Sequence, residues 1–104
     1  MANEEKKIIA KIKRYEKSLT VDENDIDAYD NLGNAFLELI EFRENKEEKE
    51  HILKKAIKNL EKVIELGENE ANNFNNLGTA LLELSKLKKN IKEKEYFLTQ
   101  AINN

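Results

Sequence analysis

Residues 29–36 read Tyr-Asp-Asn-Leu-Gly-Asn-Ala-Phe, and residues 74–81 read Phe-Asn-Asn-Leu-Gly-Thr-Ala-Leu. The two stretches lie 45 residues apart. Extending the match outward aligns 24–59 with 69–104 without a gap, and sixteen of the 36 pairs are identical. Identities include Asn31/Asn76, Leu32/Leu77, Gly33/Gly78, Ala35/Ala80, Leu39/Leu84, Asn45/Asn90, Ala56/Ala101 and Ile57/Ile102. The same offset reaches the N-terminus, where Ile12, Lys13 and Glu16-Lys17 answer Ile57, Lys58 and Glu61-Lys62. A fixed period of this length is the mark of a repeat architecture. The 104 residues form a single domain: a half unit 1–23, a full unit 24–68 and an incomplete unit 69–104.

Each unit reads as two helices. Tyr29, Leu32, Phe36 and Leu39 recur at helical spacing, as do Phe74, Leu77, Leu81 and Leu84. The second half repeats the pattern with Ile52, Leu53, Ala56, Ile57, Leu60, Val63 and Ile64, and the leading half unit with Ile8, Ile12, Tyr15 and Leu19. The chain has no Pro and three Gly, which disfavours many short strands joined by turns. An all-α fold of five helices is expected, at about 3–21, 26–44, 46–66, 71–89 and 91–103. Gly67 suits a helix C′ position with positive φ, and the acidic and Asn residues after it suit an N-cap. Asn45 and Asn90 are the expected turns inside the units, because Asn tolerates the left-handed conformation.

The spacing aromatic-x2-Leu-Gly-x2-large apolar holds in both units, followed by Ala-x3-large apolar in the first and by Ala101 in the second. It runs Tyr29, Leu32, Gly33, Phe36, Ala56, Leu60, then Phe74, Leu77, Gly78, Leu81, Ala101. This resembles the tetratricopeptide repeat. The resemblance implies antiparallel αα-hairpins stacked as a short TPR-like solenoid. The unit here is longer, 45 residues against about 34, and the extra 11 fall between Leu-Gly and Ala. Eleven residues are about three helical turns, so the faces stay in phase and the hairpin grows taller. Glu23 and Glu68 stand where the family carries Pro. A mid-helix Gly costs about 1 kcal/mol relative to Ala. The cost at Gly33 and Gly78 implies close approach of the partner helix at Ala56 and Ala101.

Chemistry-bearing motifs are sparse. There is no Cys and a single His, His51, whose repeat counterpart is Tyr96, so His51 reads as a filler of an aromatic-sized place. Glu47, Glu48, Glu50, Glu93 and Glu95 interleave with Lys46, Lys49, Lys92 and Lys94, the pattern of a solvated helix face. Net charge is −3, which is no nucleic-acid footprint. Lys86, Lys88, Lys89 and Lys92 fit the end of a fourth helix, where they complement its dipole. No catalytic set, cofactor loop or metal cluster is expected. The first residues have no apolar core of a signal peptide, and no apolar run reaches the ~18 residues of a membrane span. The expected compartment is the cytoplasm.

By the resemblance, the first helix of each unit lines a concave groove that holds an extended peptide. Asn31 and Asn76, just before Leu-Gly, are then the best contacts to a peptide backbone. Asp27, Asp30, Asn34, Leu37 and Glu38 share that wall, with Asn72, Asn75, Thr79, Leu82 and Glu83 in the second unit. Leu37 and Leu82 are the expected apolar anchors. Asn34 and Asn76 fit the asparagines of a carboxylate clamp, but Asp30 stands where such a clamp needs a base. The expected ligand is therefore a neutral or basic protein segment. The function expected is a non-catalytic protein–protein interaction module. The alternative is a self-assembling or engineered helical scaffold without a ligand. Two and a half units leave array ends open, so a homodimer through those ends is also expected.

Overall fold

Four helices account for the described residues, 2–67 and 71–103, in a computed structural model of the chain; side chains are described for all of these except Ala2, Phe97 and 101–103. They are α1 (Ala2–Val21), α2 (Ile26–Ile40), α3 (Lys46–Glu65) and α4 (Ala71–Asn103). Consecutive helices pack in order: α1 on α2, α2 on α3, and α3 on α4. The fold is all-α, and the first three helices fall where apolar periodicity places them.

Helix ends follow from local chemistry. Asp25 caps α2, its carboxylate accepting from the Ala28 amide at 3.2 Å. At the other end, the amides of Glu41, Phe42 and Arg43 donate to carbonyls three residues back. These tight turns satisfy the last carbonyls of the helix, and α2 stops at Ile40, four residues earlier than the periodicity suggests. Asn45 lies at the expected break but works differently. Its backbone is extended, with φ −69° and ψ 124°, and its side chain caps α3 by accepting from the Glu48 amide. No described residue other than glycine has positive φ. Gly67, at φ 107°, ends α3 as expected. The N-cap expected after it, with Glu68, lies outside the described residues.

The core is built from the repeated stripes. Ile8 and Ile12 of α1 meet Leu32, Ala35, Phe36 and Leu39 of α2 and Ile52 and Ala56 of α3. Ile57 and Leu60 of α3 meet Ala80 of α4 in a second cluster, with Leu77 and Leu84 alongside. Leu60 and Val63 are the largest side chains wholly removed from water. Gly33 sits where α3 crosses α2. A Cβ there would lie 2.7–2.8 Å from the Leu60 side chain and 3.5 Å from the Ala56 carbonyl. The helix approach inferred from Gly33 is present, and Leu60 makes it tightest.

The second unit differs. The expected break at Asn90 does not occur: one helix, Ala71–Asn103, replaces the two expected at 71–89 and 91–103. At 33 residues it is about 50 Å long, at 1.5 Å per residue. No helix folds back on its first half. Gly78 is exposed, and nothing lies within 4 Å of a Cβ built on it. The close approach to Ala101 is not made, since the two positions lie about 35 Å apart along one helix. Lys86, Lys88, Lys89 and Lys92 stand in mid-helix, so a helix end does not explain them.

Candidate functional site

The candidate wall is the face of α2 and α4 on which the Asn-rich positions fall. Asp30 and Asn34 are one turn apart on α2, and the Asn34 amide donates to the Asp30 carboxylate at 3.4 Å. The Asn34 carbonyl in turn accepts from the Asn76 amide of α4, also at 3.4 Å. The two first helices are thus side by side at this point, joined by a relay Asn76–Asn34–Asp30. All three residues are half-buried. At 3.4 Å these bonds are long, and they orient side chains more than they bind helices together.

The other positions divide by exposure. Asp27, Asn31 and Glu38 on α2 are exposed, as are Asn72, Asn75, Thr79, Leu82 and Glu83 on α4. Leu37, an expected exposed anchor, is half-buried and packs against both apolar clusters, so it is part of the seam between units. Leu82 does remain open to solvent. Glu83 also borders a recess of about 300 Å³ between α3 and α4, with Lys46, Lys49, Lys86 and Asn90 around it. The wall is acidic at Asp27, Asp30, Glu38 and Glu83 and carries no base among the candidate positions.

Two features escaped the reading of the sequence. Asn73 is buried among its exposed Asn neighbours. Its repeat counterpart is Ala28, also buried, and that equivalence was the available signal. The second is a repeated ion pair. Glu5 of α1 pairs with Arg43, and Glu50 of α3 pairs with Lys88 of α4 at 3.5 Å. Each partner of the second pair lies 45 residues after its equivalent in the first. Glu50 is therefore more than one carboxylate on a solvated face. Partial burial pushes its carboxyl up, but Lys54 and Lys88, by charge and hydrogen bonding, outweigh this and hold it below the usual range. His51 is exposed and borders a surface recess with Arg43, Glu47, Glu48 and Ile52.

No protein-family model, curated protein or solved structure matches the chain. The site is read from its own geometry. It offers amide donors and acceptors next to carboxylates along two adjacent helices. Among the described residues, no group of three or more His, Asp or Glu is placed to hold a metal ion. No helix among them is long and apolar enough to cross a membrane.

Proposed function

We propose that this chain is a non-catalytic interaction module of the tetratricopeptide-like kind, working in the cytoplasm. It takes a neutral or basic protein segment along the α2–α4 face. The observation carrying this reading is the hydrogen bond between Asn76 and Asn34. It sets the Asn-bearing faces of two repeat units next to each other, as a groove spanning both units requires. Asn31, one turn from Asp27, offers an exposed amide beside that junction. The acidic wall would repel a C-terminal carboxylate and attract Lys or Arg.

The test is binding to an array of peptides of graded charge, by wild type and by Asn31→Ala/Asn76→Ala. The expected result is binding to neutral or basic segments that the double variant loses while keeping its helicity. Tight binding of acidic C-terminal peptides, or no binding to any segment, would overturn the proposal. The second outcome would favour a scaffold without a ligand.

A further inference from the structure

The first half of α4 has three faces. One packs on α3 through Ala80, with Leu77 and Leu84 beside it. A second carries Asn76 toward α2. The third carries Phe74, Gly78 and Leu81 at spacing i, i+4, i+7, and it is bare. Phe74 is 50% exposed, Leu81 is 48% exposed, and the space over Gly78 is open.

The first unit shows what this face is shaped to take. Its counterparts are Tyr29, Gly33 and Phe36, and α3 lies over them. Phe36 is 6% exposed, and Leu60 fills the space over Gly33. The covering helix begins with residues 46–58, and residues 91–103 repeat that sequence. Glu93, Lys94, Glu95 and Leu98 are identical to Glu48, Lys49, Glu50 and Leu53. That stretch answers the part of α3 that packs beside Phe36 through Ile52 and Ala56, whereas Leu60, which fills the space over Gly33, lies outside it; the chain therefore carries the seat and a helix that matches its Leu81 end. It cannot join them within one molecule, because the continuous α4 carries 91–103 along its axis away from the seat. Leu53 is 3% exposed in the first unit, whereas Leu98 is 56% exposed.

We propose that residues 91–103 of a second copy occupy the Leu81 end of the Phe74–Gly78–Leu81 face, as residues 46–58 of α3 occupy the Phe36 end of the same face of α2. The chain self-associates by exchange of this helix. The seat lies on a different face of α4 from Asn76, so the proposal stands or falls apart from the peptide groove.

Sedimentation velocity across a concentration series, with amide hydrogen exchange on the same samples, tests it. Mass is expected to rise above 12.1 kDa with concentration. Amides in both 71–85 and 91–103 should gain protection together. Leu81→Glu should weaken association at least about 30-fold, a hot-spot loss. Lys86→Glu, exposed and off the stripe, should change it less than about threefold. Both positions are solvent-exposed, so helicity by circular dichroism should be kept in each variant. Three results would overturn the proposal. One is a 12.1 kDa species at every concentration. Another is protection of 71–85 without 91–103. The last is equal loss of association in the two variants.

Discussion

Units 24–68 and 69–104 share a sequence pattern and differ in shape. The first closes into a hairpin, α2 against α3, while the second runs straight through the equivalent of the turn. The cap that starts α3 is preserved in sequence, since Asn45 and Glu48 recur as Asn90 and Glu93. What differs is the support around it. Phe42 packs on the core, and Arg43 reaches both Glu5 and Glu48. Their counterparts Leu87 and Lys88 keep the burial and the pair to Glu50, the equivalent of Glu5, so what is left to differ is the Arg43–Glu48 contact and the residue at position 47. Glu47, favourable at a positive helix N-terminus, becomes Lys92. A break in a helix forgoes backbone hydrogen bonds and must be offset by packing. In the first unit α3 supplies that packing through Ala56, Leu60 and Val63. A turn motif alone does not stop a helix here; the neighbours decide.

Matched substitutions in the two units turn this contrast into measurements, and the largest concerns the aromatic stripe. Phe36→Ala should destabilise the fold by about 3–5 kcal/mol, whereas Leu81→Ala at monomeric concentration should stay within about 0.5 kcal/mol. Urea unfolding of both, read by circular dichroism, compares them; equal losses would mean that Leu81 is covered within the chain. Next come the glycines. Gly33→Ala forces a methyl into Leu60 and should cost about 1–3 kcal/mol. Gly78→Ala lies on an open helix surface and should stabilise by up to about 1 kcal/mol. The same unfolding experiment should therefore give opposite signs.

These pairs also mark how much of the architecture was legible in the sequence. The 45-residue period predicts the three packed helices, the close approach at Gly33 and the positive φ of Gly67. All of these depend on local chemistry or on a stripe that can bury itself in only one way. The continuity of α4 was not legible, because Asn90 and Glu93 keep the local signals of a break. At the candidate site, the grouping of Asp30, Asn34 and Asn76 on one wall came from the resemblance to the tetratricopeptide repeat, and the bonds Asn76–Asn34–Asp30 bring these three together. Leu37 was misread as an anchor because helical periodicity does not show where two clusters meet.

A smaller contrast lies in the caps. Asn45→Ala should cost about 1 kcal/mol through loss of the bond to the Glu48 amide. Asn90→Ala, in mid-helix, should be neutral or stabilising by a few tenths of a kcal/mol, up to about 0.7. Thermal melts of the pair check this. The smallest effect concerns pH. The Glu50 carboxyl is held low in the fold, so its contribution is present above its unfolded pKa and lost as pH falls through the folded value. Glu50→Gln should therefore lower stability slightly at neutral pH and converge on wild type as pH falls, flattening part of the decline on the acid side. Unfolding midpoints across that range read it out.

The central claim is that the second unit is one straight helix in the isolated chain. The sequence has no Cys, so spin labels at Asn75→Cys and Thr99→Cys report a single distance. Dilution of labelled chains into an excess of unlabelled ones keeps the measured pair within one molecule. A continuous α4 places the labelled backbone positions roughly 36 Å apart, at 1.5 Å per residue. A hairpin closed like α2 and α3 would bring them below about 20 Å, given axes 8–10 Å apart. A dominant distance near 36 Å is the result expected, and a dominant population below 20 Å would contradict it.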